Sequence, residues 1–254
     1  MVRVIYEGRL GNQLFQYCFG RILATRLKLR LFADPIPGFP GTHDEVDGEI
    51  IEDASPITLS GIVRPDLQAL LSAPQRRGFI VNAYLQEYQF YAPYLAEIRT
   101  WLRMSEYETT QFQSGPHSLM VNIRLGDYLE IRWALAPDFF ASLIESIPHG
   151  ELTIVTDSPR SNYLDHFRKY SPVILHSNPI DDFKWLLNAS RLVISQSTFS
   201  WWGAILSNAE VWMPETSDSI WSRQSHVDLR VFDNPRWHIV PANTVPSGHG
   251  YLPD

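Results

Sequence analysis

From residue 118 to residue 208 the chain repeats one pattern four times: a short apolar run, then a longer stretch with helical spacing. The runs are "SLMVNIR", "LTIVTD", "PVIL" and "RLVIS". The stretches between and after them are "PDFFASLIESI", "PRSNYLDHFRKY", "IDDFKWLLNAS" and "FSWWGAILSN". Strands alternating with helices demand parallel neighbours, because each helix is the crossover that returns the chain to the same edge. A parallel sheet with helices on both faces follows. Pro137 and Pro159 fall at first helical positions, the latter behind Ser158 as the expected N-cap. "VWMP" adds a further strand, and the tail from residue 214 onward reads as largely irregular.

The first half gives a looser version of the same pattern. "VRVIY" is a strand, and "QLFQYCFGRILATRL" places Phe15, Phe19, Ile22, Leu23 and Leu27 on a helix face. "LRLFAD" and "RGFIVNAYLQ" read as strands, and "RPDLQALLS" and "FYAPYLAEIRTWLR" as helices, the last despite Pro93. Residues 34 to 61 are rich in Pro, Gly and acids and read as an irregular excursion with one short strand. Between residues 104 and 117 the composition turns polar and ends in "QSGPHS", which marks a domain boundary. A chain of 254 residues divides there into domains 1–115 and 116–254, each long enough for its own core.

Composition narrows the function. The formal charge is -7, with no basic stripe, which excludes the electrostatic footprint of a nucleic-acid binder. One cysteine, Cys18, lies among Tyr17, Phe19 and Ile22 and reads as core. There is no charged and apolar leader, and no stretch reaches the roughly 18 apolar residues of a membrane span, so a cytoplasmic location is expected.

In such folds ligands sit beyond the carboxyl ends of the strands. Four clusters occupy those ends. "GRLGNQ" (8–13) offers Gly8 and Gly11 for tight backbone, Asn12 as a helix N-cap, and Gln13. With Asp34 near the end of the second strand it has a dinucleotide rival, but the spacing is G-x-x-G and not G-x-G-x-x-G. "VNIRLGDY" carries Arg124 out of a strand end, with Asp127 to orient it or to take a hydroxyl; an arginine fork suits phosphate oxygens. "VTD" ends in Asp157. "SQSTFSWWGA" sets Ser197 and Thr198 between a strand and a helix, where hydroxyls and unpaired N–H groups can seat a phosphate or simply cap. Asp181 and Asp182 sit where a helix dipole favours carboxylates.

Several chemistries have no support. The histidines lack ligand spacing, and G-x-S-x-G, G-x-x-x-x-G-K-[ST] and D-x-D are all missing. A bound nucleoside diphosphate would have to be held by Arg124 and backbone N–H groups.

Four segments, in this order, carry a family resemblance: "GRLGNQLFQY", "YLQEYQFY" (84–91), "NIRLGDY" and "DDFKWLLNASRLVISQSTFSWWGAIL". Together they resemble glycosyltransferase family 11, the α-1,2-fucosyltransferases, and more distantly the α-1,6- and protein O-fucosyltransferases. The second motif departs from the family's H-x-R-R-G-D-Y: Asn122 stands for the histidine and Leu125 for the second arginine, while Arg124 keeps the first.

The resemblance implies a GT-B architecture, two Rossmann-like domains with parallel sheets facing across a cleft. It implies inverting transfer of L-fucose from GDP-β-L-fucose to the 2-hydroxyl of a terminal galactose, with no metal and no other cofactor. It assigns Arg124 and Asn12 to catalysis, and Gly11, Gln13, Asn122, Asp127, Asp157, Asp182, Ser197, Thr198 and Phe199 to the donor. Tyr84, Gln86 and Tyr88 would face the galactose-terminated glycan acceptor. Glu130, Asp127, Glu87 and Glu7 are the carboxylates available as general base, none favoured by spacing. The alternatives are a fucosyltransferase of other linkage, a nucleotide- or glycan-binding protein of the same fold and, more weakly, an oxidoreductase.

Overall fold

The structure, a computed structural model, describes residues 1–51, 55–72, 77–104, 112, 114–216 and 227–254. The chain is α/β and divides into two compact units: Met1–Ser105 with His226–Leu229, and Glu106–Ser225 with Arg230–Asp254. Among the described residues no helix is long and apolar enough to cross a membrane.

Unit 1 is built on a parallel sheet of β1 (Val2–Val4), β2 (Leu31–Phe32), β3 (Ile57–Gly61) and β4 (Phe79–Ala83), in the order β2-β1-β4-β3. Its main helix, α1 (Leu10–Leu27), packs on β1 and β4 and is buried from Leu14 through Ala24, Cys18 included. The approach to the sheet is close at Gly20, where a Cβ would lie 2.4 Å from a Val4 methyl carbon. After β3 comes the short α2 (Leu67–Ser72). The stretch expected as one helix through Pro93 is broken: α3 (Tyr88–Tyr91), a 3-10 turn Ala92–Tyr94, then α4 (Leu95–Trp101). Proline lacks the N–H and its ring crowds the preceding turn, so the helix cannot run through it.

Among the described residues, unit 2 holds six parallel strands: β5 (Leu119–Ile123), β6 (Leu152–Thr156), β7 (Val173–Leu175), β8 (Arg191–Val193), β9 (Glu210–Glu215) and β10 (Trp237–Pro241), in the order β10-β9-β8-β5-β6-β7. All five residues of β5 are buried, as a central strand covered on both faces requires. Its helices are α5 (Gly126–Glu130), α6 (Pro137–Ser146), α7 (Pro179–Leu187) and α8 (Thr198–Leu206).

Three local expectations change. The segment after β6 is a 3-10 helix, Asn162–Tyr170, and its cap is Ser161, whose side chain accepts from the Tyr163 N–H. Ser158 lies outside it. The tail contains β10, paired in register with β9 from Trp237 to Pro241. The start of α1 is Leu10, so Asn12 is a residue of the first turn and not its cap, and the positive φ belongs to Gly8 (+76°) while Gly11 is helical.

Candidate functional site

Counted from β5, the strand order of unit 2 is that of a doubly wound dinucleotide fold: β6 and β7 leave to one side, β8, β9 and β10 to the other. Ligands in such sheets bind at the carboxyl ends where the order reverses. That point lies between β5 and β8, and "RLGDY" and "SQSTF" are the segments that leave those two strands.

The crevice is built from below by a buried amide. Asn122, 6% exposed, donates from Nδ2 to the Val155 carbonyl of β6 at 3.2 Å and accepts at Oδ1 from the Ser195 hydroxyl at 2.9 Å. It thereby ties the ends of β5, β6 and β8 together. Asn122 is engaged in holding the strand ends, which is a support role beneath the site.

Arg124 leaves β5 two residues later. Its Nη1 is 2.5 Å from Asp157 Oδ2, its Nη2 2.5 Å from Asp127 Oδ1, and its guanidinium lies 5.2 Å from the centre of the Tyr128 ring. Asp157 is fixed in turn, because its Oδ1 accepts the Leu125 N–H at 2.8 Å. Gly126, at φ +24°, lets this turn pass: a Cβ there would stand 2.6 Å from Asp157 Oδ2. The N–H of Gly126 donates to the Ser158 hydroxyl at 3.2 Å, and the Ser158 N–H donates to Thr156 Oγ1. So Ser158, expected as a helix cap, supports the loop that carries Arg124. Burial pushes the Tyr128 hydroxyl up to about 12, against the pull of Arg124, so it stays protonated at neutral pH. Leu125 is fully buried in the core of unit 2, so no cation occupies the position of the family's second arginine.

On the far side of the crevice Ser197 caps α8 without a side-chain cap bond. Ser197 is buried and Thr198 half-buried, while Phe199 packs edge-on against Phe183 at 5.5 Å. Asp182 lies in the first turn of α7, capped by Asn178, and accepts the Ser177 N–H at 2.9 Å. It is 8% exposed, and desolvation raises its carboxyl above the ordinary range. Keeping a carboxylate there has a cost.

In unit 1 the order reverses between β1 and β4. There Gln86, 8% exposed, donates from Nε2 to Asn12 Oδ1 at 3.0 Å. Gln13 donates to the Gly8 carbonyl. Tyr84 is half-buried and Tyr88 is 7% exposed. Of the carboxylates weighed as a base, Glu7, Asp127 and Glu130 are exposed, whereas Glu87 is 1% exposed and lies 2.9 Å from Arg64 Nε. A separate cleft of about 550 Å³ runs along β2, lined by Arg3, Arg30, Phe32 and Asp34 among others, and contains none of the candidate donor or acceptor residues. The order of the strands points elsewhere.

No protein-family model matches the sequence, and no curated protein does. Solved structures do. NodZ α-1,6-fucosyltransferase soaked with GDP-fucose aligns at TM-score 0.50 and 13% identity over 81% of this chain and 92% of that one. The chain shares its fold with a fucosyltransferase. POFUT1 in complex with GDP aligns equally well, at TM-score 0.50 and 11% identity, over 82% of this chain and 94% of that chain. The likeness covers both Rossmann-like units, and at these identities it speaks to fold.

Proposed function

We propose that the chain is a GDP-fucose-dependent fucosyltransferase and, more finely, that it moves fucose with inversion to the 2-hydroxyl of a terminal galactose without requiring a metal. The observation that carries this reading is the placement of Arg124: a guanidinium held by two carboxylates at the end of β5, next to β8 at the switch point of a doubly wound sheet. The resemblance of four ordered motifs to the α-1,2 family supports the finer part.

In this reaction the fucose C1–O bond breaks and its electron pair goes to the β-phosphate oxygen, while the galactose oxygen adds to C1 from the opposite face and passes its proton to a water. Negative charge grows on the leaving GDP. Fixed donors aimed at it lower the barrier. Arg124 and the first N–H groups of α8 are the donors that fit, with Ser197 and Thr198 beside them. Arg124 is paired with two carboxylates, Asp127 and Asp157, so a diphosphate has to displace one. Asp127 is the one that yields, being 45% exposed against 27% for Asp157, which is also tied to the Leu125 N–H. Asp182 then suits the N–H groups of a guanine. In unit 1, Asn12 and Gln13 enter this reading through the resemblance, as side chains serving the donor.

A second reading is favoured by one observation, the buried Leu125 in place of an arginine: a nucleotide binder that does not transfer. Incubation of the pure chain with GDP-fucose and lactose, with and without EDTA, decides between them by mass spectrometry and product NMR. A 2-O-fucosylated galactose formed equally in both samples is the expected result. Fucose at another position removes the α-1,2 assignment; GDP binding with no product on any galactoside supports the binder.

A further inference from the structure

The candidate acceptor residue Gln86 is buried and spends its amide on another candidate. Resting on the reading of Asn12 as a carboxamide that serves the donor, we propose that Gln86 is a positioning residue: it sets which end of the Asn12 amide faces an anionic ligand.

A side-chain amide is ambiguous, since its oxygen only accepts and its nitrogen only donates. Gln86 removes the ambiguity by giving its Nε2–H to Asn12 Oδ1 at 3.0 Å. The Asn12 nitrogen is thereby turned to the Gly8 side, where it packs so closely that a Cβ on Gly8 would lie 2.4 Å from Nδ2. The positive φ of Gly8, +76°, and the loss of a side chain there both serve that placement. A donor on that side suits phosphate oxygens. An oxygen there would repel them.

The backbone that delivers Gln86 is itself constrained. Along β4 and to Tyr84, buried and half-buried residues alternate, and then Leu85, Gln86, Glu87 and Tyr88 are all buried. The alternation is broken by Leu85, which sits at φ +53° although it is a leucine and 1% exposed. Left-handed backbone is unfavourable for such a residue and persists only where surroundings over-determine it. Here the Tyr91 hydroxyl donates to the Leu85 carbonyl at 2.8 Å, the Asp228 N–H to the Gln86 carbonyl at 3.0 Å, and the Tyr88 N–H to the Asp228 carbonyl at 2.8 Å. Three bonds hold a disfavoured turn whose effect is to swing one amide onto Asn12.

The rival role, a plain structural pin, predicts different behaviour for Gln86→Glu. The shape is kept, but a carboxylate only accepts, so Asn12 must turn its nitrogen toward residue 86 and its oxygen to the Gly8 side. The expected result is a fall in kcat of roughly tenfold or more at saturating GDP-fucose, with the melting temperature within about 4 °C of wild type. In an Asn12→Ala background the same change should alter the rate less than about twofold, because Gln86 acts only through Asn12. Wild-type kcat in Gln86→Glu, or losses that multiply across the cycle, overturns the proposal. If Gln86→Glu does not fold, Gln86→Met removes the donor without a charge and is read in the same way. Should the wild-type chain transfer no fucose, the functional reading fails by itself. The positioning role is then decided by NMR, from the nuclear Overhauser contact between the Asn12 amide protons and the Gly8 Hα: its loss in the Gln86 variant supports the proposal, and its persistence overturns it.

Discussion

Arg124 and Asp157 are joined twice: one Asp157 oxygen lies 2.5 Å from Arg124 Nη1, and the other accepts the N–H of Leu125, the residue next to that arginine. One carboxylate fixes both the guanidinium and the backbone that delivers it. The direction of the fork is therefore set before any ligand arrives, which is the condition for electrostatic stabilisation without reorganisation.

Gly126→Ala tests that rigidity without replacing a charged group. The new methyl would meet Asp157 Oδ2 at 2.6 Å, on backbone at φ +24°. Asp157 has to leave Arg124, and GDP affinity should fall about tenfold, the worth of a charge-assisted hydrogen bond. Calorimetric titration with GDP reads the loss, and near-ultraviolet circular dichroism checks that the fold persists.

The two serines of "SPRS" should separate stability from function. Ser161 caps the 3-10 helix and donates to the Leu252 carbonyl at 2.5 Å, so Ser161→Ala should cost about 1 kcal/mol in denaturant unfolding and leave turnover near wild type. Ser158 supports Gly126, so Ser158→Ala should lower turnover more than Ser161→Ala does. The reverse ranking would restore Ser158 as a mere cap.

Asp182 should show a stability cost retained for function. Burial raises its folded pKa above the unfolded value, so its protonated form fits the fold best. Its contribution is fully present below the ordinary carboxylate pKa of about 3.9 and is lost as pH rises through the folded value. Asp182→Asn, which keeps an acceptor for the Ser177 N–H, should raise the melting temperature at pH 7 and bring no gain below pH of about 3.5. On the proposed guanine role it should also weaken GDP binding. A variant that is more stable at pH 7 and binds GDP as well as wild type would remove Asp182 from the site.

Much of this was legible because parallel strands announce themselves. β5 and β6 are short apolar runs ended by Arg124 and Asp157, and the rule that ligands lie beyond strand ends singled out these segments of unit 2 before their order was known. What escaped was set by contacts distant in sequence. β10 is a strand because β9 lies beside it, and "WHIVP" has no periodicity of its own to show that. α5 begins at a glycine with positive φ and is five residues long, too short for a helical period. Ser158 before Pro159 is a good cap by composition, but the chain turns three residues later and Ser161 takes the role. The link between Gln86 and Asn12 spans 74 residues. No local signal marks it.

The central claim is that one guanidinium at the switch point of unit 2 neutralises a nucleoside diphosphate. Isothermal titration of GDP into wild-type chain and Arg124→Ala, with turnover of GDP-fucose measured on both, tests it most directly. Saturable GDP binding is expected of the wild type, weakened about tenfold or more in the variant, with turnover lowered on the order of 100-fold. Equal GDP binding and equal turnover in the two proteins would contradict it.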